Sequence, residues 1–335
     1  MDGGAEPIQE VRRVAAQSIL TPTGGFLQDG SGAGYTHTLN PATGCIFARG
    51  FCGSFCYARV FAERRFGRGA FGRTLVVKEN AARLLERELA RAAARPVDHP
   101  HHLSRLRIFA ASTTDPCAGP ARAVFRECLR VMARRPPGLL VVQTRSPAVL
   151  GLRREILALA RAQRRGEAGE APGEVALSFT LETDDSSFFA GRDGPGVAVR
   201  RRVFERLSAW PLRRHLAVAP CLPLLDARAF ADWIAEFATD ATVDTFVSGD
   251  GSGGRRTASG PLPEKLRQRG HAWRSEVHAR QLFGLLRARM GEHVGWSAAG
   301  FLRLAGVDRG GGPPGPRSGD KPARHPPRGR SSSVP

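Results

Sequence analysis

The chain has 335 residues, of which 41% are hydrophobic, and can therefore bury the core of one large domain or two smaller ones. No apolar run approaches the ~18–20 residues of a membrane span, and the acidic start MDGGAEPIQEVRR has no signal-like stretch, so we expect a cytoplasmic protein. The formal net charge of +19 favours a polyanionic partner, above all nucleic acid.

The first unusual segment in chain order is a loop that follows a glycine-rich, polar stretch, residues 1–35, which we predict to be irregular. The loop, GCIFARGFCGSFCYAR (44–59), contains Cys45, Cys52 and Cys56, half of the six cysteines in the chain. Three interpretations stay open: small buried side chains, a zinc site with a fourth ligand from Cys117 or a histidine, and an iron–sulfur cluster on three thiolates. A trio of thiolates leaves one iron of a four-iron cluster open to another ligand.

Short β-like runs then alternate with amphipathic helical patterns. The runs occupy residues 106–112, 139–144, 174–180, 215–220 and 241–249. Continuous apolar strands separated by helices predict an α/β fold with a parallel sheet covered by helices. A barrel or partial barrel fits better than a dinucleotide-binding sheet, because no strand is followed by GxGxxG. One helix, after Asp226, begins with a residue suited to capping.

In barrels of this kind the chemistry lies on the loops after the carboxyl ends of the strands. That rule points to residues 45–56, 112–117, 144–146 and 178–185. Beyond the strands, residues 251–308 predict a helical C-terminal extension, with a helix within 273–296. Residues 309–335 hold Pro, Gly, Ser and Arg with a single valine, which predicts a disordered basic tail.

The cysteine loop resembles the opening motif of the radical S-adenosylmethionine (SAM) superfamily, in its spore photoproduct lyase-like (DNA repair photolyase-like) branch. The resemblance rests on LNPATGC and FCYAR (39–59) and continues through STTDPC (112–117), QTRS (143–146), VALSFTLETDD (175–185) and LAVAPCLP (216–223). The spacing departs from the usual C-x3-C-x2-C of the superfamily, since the first gap has three extra residues and the second has one.

This resemblance implies a partial (β/α)6 TIM-type barrel over residues 36–250 and a [4Fe-4S] cluster on Cys45, Cys52 and Cys56. It implies reductive cleavage of SAM to a 5′-deoxyadenosyl radical, an electron donor such as flavodoxin or ferredoxin, and a nucleic-acid substrate. It also implies SAM contacts from the loops after three strands, namely Ser112, Thr114, Asp115, Thr144, Arg145, Ser146, Ser178 and Thr180. From the residues alone, Thr144 and Ser146 could instead cap a helix, and Asp115 could mark a turn.

Two features bear on the reaction. By the resemblance, Ser112 stands where spore photoproduct lyases carry a hydrogen-donor cysteine, which argues against that specific activity. Cys117 lies five residues later on the same predicted loop and is a candidate substitute donor. The alternative function, from another class, is a non-catalytic, zinc- or cluster-stabilised nucleic-acid-binding protein.

Overall fold

The structure, a computed structural model, describes residues 10–48, 50–165, 173–189, 194–249, 251–307 and 312–313. Its strands are β1 (Glu10–Val14), β2 (Leu20–Pro22), β3 (His37–Leu39), β4 (Ala42–Thr43), β5 (Thr74–Lys78), β6 (Arg107–Ala110), β7 (Leu139–Thr144), β8 (Glu174–Thr180), β9 (Arg213–Val218), β10 (Asp240–Val243) and β11 (Val294–Trp296). The main sheet has the order β2-β3-β6-β7-β8-β9-β10-β11. Neighbours from β3 to β11 are parallel, and β2 is antiparallel to β3.

Helices connect the parallel strands, which confirms the predicted α/β class. They are α1 (Ala58–Phe66), α2 (Ala81–Ala93), α3 (Ala121–Arg134), α4 (Arg153–Arg164), α5 (Val197–Leu207), α6 (Ala227–Phe237), α7 (Arg255–Ala258), α8 (Leu262–Arg267), α9 (Val277–Met290) and α10 (Ser297–Leu304). Strands β7 and β8 have the predicted bounds. The runs predicted at 106–112, 215–220 and 241–249 correspond to β6, β9 and β10, which are shorter or shifted by one or two residues. Asp226 caps α6 as predicted, because its carboxylate accepts hydrogen bonds from the backbone N–H groups of Arg228 and Ala229, both at 3.0 Å.

Successive residues of a strand point to opposite faces of the sheet, and in the main sheet the residues of both faces are buried. Residues such as Ile108, Leu140 and Val142 belong to the large apolar core that also includes the helices. The residues that alternate with them along the strands point to the other face. There they form a second apolar cluster with α10, which we call the lower cluster. Its buried members are Tyr35, Phe109, Leu139, Val141, Ala176, Ala217, Phe301, Leu304 and Ala305.

The sheet does not close into a barrel. Strands β2 and β11 form its two edges, and no strand of the described ranges pairs with both. Helix α10 bridges the gap instead: the hydroxyl of Tyr35 donates to the carbonyl of Phe301 at 3.0 Å, and the rings of Phe26 and Phe301 lie 5.7 Å apart. The coarse prediction of a parallel sheet covered by helices is confirmed, and a closed barrel is absent from the part of the chain that the structure describes.

A small second sheet is formed by β1 and by two strands that lie between β3 and β6 in the sequence, β4 and β5. Its order is β1-β5-β4, so that Glu10 of β1 lies beside Thr74 of β5. Residues 10–35, which the sequence predicts to be irregular, therefore contain two strands, β1 and β2. Their pairing partners are distant along the chain, and a local pattern does not reveal them. The small sheet supports one side of the cysteine loop, since β4 ends two residues before Cys45.

The region after β10 contains α7, α8 and α9, then β11 and α10. The helix predicted within 273–296 is shorter in the structure. Helix α9 ends at Met290 because Gly291 adopts a φ of +56°, and β11 follows. Of the predicted tail, only Gly312 and Pro313 belong to the described residues. None of the helices that the structure describes has the length and apolarity needed to cross a membrane.

Candidate active site

A cavity of about 920 Å³ opens at the carboxyl ends of the parallel strands. This is the edge where loop residues of successive strands meet, as the sequence rule anticipates. Its wall includes all three cysteines of the cysteine loop, the last residue of β8 and residues that follow β6, β7, β9 and β10. Nine of the twelve predicted site residues line it, namely Cys45, Cys52, Cys56, Ser112, Thr114, Asp115, Thr144, Arg145 and Thr180.

The cysteine loop brings its three thiols to one wall through two tight turns. The backbone N–H of Cys56 donates to the carbonyl of Cys52 at 3.0 Å, so that both side chains lie on the same turn. Glycine is required at two places. A Cβ on Gly53 would lie 1.6 Å from the carbonyl oxygen of Ala48, and Gly44 has a φ of +93° and would clash with the backbone of Thr74. All three thiols are free.

Aromatic rings pack around the cysteine loop, and two of them, Phe55 and Phe246, also line the cavity. Phe51, the residue before Cys52, packs edge-on against Phe55, Phe188 and Phe189, with ring centroids 5.3 to 5.9 Å apart. Phe55 in turn packs against Phe246 at 5.8 Å. These contacts are apolar and exclude water from one side of the cysteine loop, an arrangement that tunes the properties of a bound metal centre.

The three thiols influence one another electrostatically. Burial raises the pKa of Cys45 to about 12. A hydrogen bond from Cys56 to the sulfur of Cys52 raises the pKa of Cys56 and lowers that of Cys52. Arg145 favours the thiolate form of Cys45 and Cys52. The three thiols are therefore close enough to interact, and a bound metal would take the place of their protons.

A buried group of charges lies beside the thiols. The carboxylate of Glu182 accepts hydrogen bonds from Arg145 and from Arg200, the latter at 2.5 Å. The Arg200 and Glu182 side chains are fully buried, and that of Arg145 is 12% exposed. We call this group the Arg–Glu–Arg triad. Of the three, only Arg145 is predicted as a site residue; Glu182 lies within the predicted site loop 178–185 without a role of its own, and Arg200 is not predicted. Their signal is visible afterwards: Arg200 lies in register with Val197 and Phe204 on the apolar face of α5.

Two side chains hold the loops of the cavity in place. The Oδ1 atom of Asn40 accepts hydrogen bonds from the backbone N–H groups of Ser112 at 2.8 Å and Thr113 at 2.9 Å. Asn40 lies in the LNPATGC motif just after β3 and is not among the predicted site residues.

The other holding side chain is Asp115, which joins the loops after β6 and β7. Its carboxylate accepts from the Thr144 hydroxyl at 2.7 Å and from the backbone N–H groups of Arg145 at 2.9 Å and Cys117 at 3.0 Å. Burial raises the pKa of Asp115, although these three bonds act in the opposite direction. The described contacts of Asp115 are thus structural, and they fix Thr144 and Arg145 at the cavity wall.

A ladder of polar side chains crosses the sheet below the cavity. The Ser178 hydroxyl lies 2.5 Å from Oε1 of Gln143 and 2.6 Å from Nδ1 of His215, and Nε2 of His215 lies 2.7 Å from the Thr242 hydroxyl. Gln143 also donates to Thr180 at 2.5 Å. Burial lowers the pKa of His215 to about 3, so that the ring is neutral. This polar ladder lies between the cysteine loop and most of the lower cluster, of which Phe109 and Phe301 reach the cavity wall.

Three predicted residues do not line the cavity. Ser178 is fully buried in the polar ladder, and Ser146 caps the short 3-10 helix that follows β7, its hydroxyl accepting from the Ala148 N–H at 3.2 Å. Cys117 is fully buried in the large apolar core, and burial raises the pKa of its thiol. Its role as a hydrogen donor stays a prediction, and it requires a movement of the loop after β6.

The donor chemistry of the wall fits an iron–sulfur cluster. Across the described ranges, no three His, Cys, Asp or Glu side chains form a group that could hold a single metal ion. Structural zinc needs four such ligands on one ion, whereas the thiolates of a four-iron cluster each bind a different iron. Three free thiols with no fourth ligand beside them, an adjacent guanidinium and an aromatic surround therefore suit a cluster better than zinc.

Comparisons with known proteins bear on the fold. No protein-family model and no curated protein matches the chain. Three solved structures of spore photoproduct lyase match it, each with 12% sequence identity over 86% of this chain and 81% of the lyase chain. The TM-score is 0.54 for a cysteine-to-alanine variant with dinucleoside spore photoproduct, 0.51 for the same variant alone and 0.52 for a tyrosine-to-phenylalanine variant. The predicted resemblance to spore photoproduct lyase is confirmed, and at this identity it establishes the fold.

Proposed function

We propose that this chain is a radical SAM enzyme that binds a [4Fe-4S] cluster through Cys45, Cys52 and Cys56. One observation carries the proposal: three free thiols meet on one wall of a large cavity at the carboxyl end of a parallel sheet. The likeness in fold to spore photoproduct lyase supports it. We further propose that the open sheet is the partial (β/α)6 barrel of the superfamily, with residues 36–250 as the catalytic region and 251–308 as an extension that contributes to the cavity wall.

When bound, such a cluster supplies the electron that cleaves SAM into methionine and a 5′-deoxyadenosyl radical. The protein's own residues bind and orient the cofactor. Arg145 offers a guanidinium at the cavity wall, suited to the cofactor carboxylate. Ser112, Thr114 and Thr180 offer hydroxyl groups in the same wall. Asp115 acts indirectly by fixing Thr144 and Arg145, and Ser178 and Ser146 act through the polar ladder and the helix cap.

The cavity has room for more than the cofactor. Its volume lies near the upper end of the ~300–1,000 Å³ typical of ligand pockets, so a portion of a substrate can enter beside SAM. The apolar side of the cavity includes Phe26, Phe109 and Phe301, which present flat surfaces suited to a planar base.

Charge supports a nucleic-acid substrate. Arg65, Lys78 and Arg256 line the cavity, and the whole chain has a formal net charge of +19. A base inside a duplex would have to leave the stack to reach the cavity. The solved structure with dinucleoside spore photoproduct belongs to a protein of the same fold, and it supports a substrate of this class here.

The reaction itself is proposed to differ from that of spore photoproduct lyase. A Ser112 hydroxyl holds its hydrogen atom more strongly than a thiol does, so it does not replace a hydrogen-donor cysteine. Cys117 would serve only if its loop opened toward the cavity. We therefore propose a lyase- or repair-like reaction whose final hydrogen atom has another source.

The experiment is anaerobic reconstitution with iron and sulfide, followed by reduction in the presence of SAM. We expect brown protein that releases 5′-deoxyadenosine, with the rate increased by an oligonucleotide carrying a thymine lesion but not by its undamaged counterpart. Colourless protein that retains zinc would support the non-catalytic alternative. SAM cleavage unaffected by any lesion-bearing strand would leave the enzyme class standing and overturn the nucleic-acid substrate.

A further inference from the structure

The Arg–Glu–Arg triad carries more positive charge than it neutralises. Two guanidinium groups share the single carboxylate of Glu182, so the triad has a net charge of about +1 when all three groups are ionised. Two of its side chains are fully buried and the third is nearly so. An uncompensated charge in such a place is costly, because water no longer solvates it. The carboxylate of Asp115 acts on Arg145, and a further anion near the triad would offset the charge on Arg200.

Arg200 shows this excess charge most clearly. One of its nitrogens, Nη1, donates to Glu182 and to the carbonyl of Thr180 at 3.1 Å. Its Nε and Nη2 atoms are buried and have no hydrogen-bond partner in the described part of the chain. The guanidinium lies over the ring of Phe189, 4.3 Å from the centroid, which recovers some of the lost solvation. A ring cannot replace a counter-ion.

The triad lies beside the thiols. Arg145 lines the cavity together with Cys45, Cys52 and Cys56. Phe189, which lies under Arg200, packs against Phe51, the residue before Cys52, at 5.8 Å. Both guanidinium groups act electrostatically on Cys52. Three thiolates around a [4Fe-4S]²⁺ core carry a net charge of about −1, and about −2 after one-electron reduction, which is opposite in sign to the charge of the triad.

We infer that the Arg–Glu–Arg triad is a fixed counter-charge for an anionic cluster on the three cysteines, and that Arg200 is a positioning residue that raises the cluster's reduction potential. This inference rests on the proposed function. A positive group near the cluster stabilises the more negative, reduced state more than the oxidised state, so reduction becomes easier. Arg200 also holds Glu182, which holds Arg145 at the wall.

Charge-changing variants give opposite expectations. Arg200→Met removes a positive charge and keeps most of the side-chain volume, so the reduction potential falls. Glu182→Gln removes the negative charge, so the potential rises. For each we expect at least a tenfold change in the ratio of reduced to oxidised cluster at a fixed potential, which is about 59 mV for a one-electron couple. Arg200→Lys keeps the charge, and we expect it to stay near the wild type.

The measurement is a redox titration of reconstituted protein followed by electron paramagnetic resonance, with dithionite and mediators as the reductant. Arg202→Met is the matched control, because Arg202 is an exposed arginine on the same helix, α5. Thermal unfolding of the metal-free protein is the second readout. Arg200→Met should leave metal-free protein about as stable as the wild type, because Glu182 keeps Arg145 as its counter-ion and the triad loses its excess positive charge.

The outcomes are distinguishable. Suppose that Arg200→Met and Glu182→Gln bind a full complement of iron but keep the wild-type reduction potential, or that both shift it in the same direction. Either result would overturn the counter-charge inference and leave the proposed function standing. A wild-type protein that binds no iron would overturn the proposed function and this inference with it. A metal-free Arg200→Met protein that unfolds at a much lower temperature than the wild type would also contradict the inference, since it would make Arg200 a purely structural residue.

Discussion

One face of the main sheet carries the lower cluster at its lower end and the cavity at its upper end, where the parallel strands reach their carboxyl ends. The two ends are built from neighbouring residues of the same strands, yet they differ in chemistry. At the lower end, Leu139 and Val141 of β7 pack into the lower cluster against α10. Two residues further along the same strand, Gln143 begins the polar ladder, and Arg145 lies in the cavity wall beside the thiols. The lower end contains apolar contacts, whereas the upper end contains buried charges and close-packed thiols. The difference indicates that the lower end stabilises the fold and the upper end is arranged for a ligand.

The largest expected effect on stability comes from breaking the lower end. Leu139→Ala leaves a cavity in the lower cluster and should lower the free energy of unfolding by about 2–5 kcal/mol. Denaturant titration of metal-free protein measures it. Iron bound per folded chain should not change, because Leu139 does not line the cavity. A folded variant that had lost its iron would show that the two ends are not separate in function.

The polar ladder between the two ends should make stability depend on pH. Burial lowers the pKa of His215 to about 3, whereas a histidine in the unfolded chain titrates near ~6.5. Between these values the unfolded chain binds a proton that the native chain does not. Stability from this group is therefore full above pH ~6.5 and is lost as the pH falls, by about 1.4 kcal/mol per pH unit.

The comparison that isolates this effect uses His215→Gln, which can still bond to Ser178 and Thr242. His37, whose pKa burial lowers to about 4, is present in both proteins and cancels. The free energy of unfolding of the variant, followed by denaturant titration from pH 7 to pH 4.5, should fall less steeply than that of the wild type. If the unfolding free energies of the two proteins changed with pH in parallel, the polar ladder would accommodate a protonated His215 ring, contrary to the prediction.

At the upper end, Asp115→Asn should affect ligand binding more than folding. The carboxylate accepts three hydrogen bonds, and an amide places an N–H where one of them was accepted. Thr144 and Arg145 should then lose their fixed position. We expect SAM affinity to fall about 10–100-fold, comparable to other losses of supporting contacts. Calorimetry with reconstituted protein measures the SAM affinity. An unchanged affinity would mean that Asp115 only stabilises the turn after β6 and does not support SAM binding.

The smallest effect is expected far from both ends. Asp226→Ala removes the cap of α6 and should cost about 1 kcal/mol of unfolding free energy. Asp226→Asn keeps an accepting oxygen and is the matched control. Neither change should alter iron content or SAM affinity. A loss of either would mean that α6 transmits to the cavity, contrary to the separation proposed here.

Sequence predicts the two regions to different extents. Long apolar runs such as β7 and β8 are predicted with their bounds, because a strand buried on both faces is continuous in the sequence. Strand β11 is missed at the end of a segment predicted as a helix followed by a turn, since its three residues have no pattern of their own. In the site, motif positions such as Cys45 and Arg145 are found, whereas Arg200 is missed because it stands in a run of three arginines typical of a solvated face.

The central claim is that three thiols of the cysteine loop hold one cluster. Iron and sulfide counted after anaerobic reconstitution of Cys45→Ala, Cys52→Ala and Cys56→Ala test it most directly, with Cys128→Ala, a buried cysteine of α3 outside the cavity, as the control. We predict about four irons and four sulfides per chain for the wild type and the control, and a loss of most of both in each loop variant. Loop variants that keep the wild-type iron and sulfide would contradict the account.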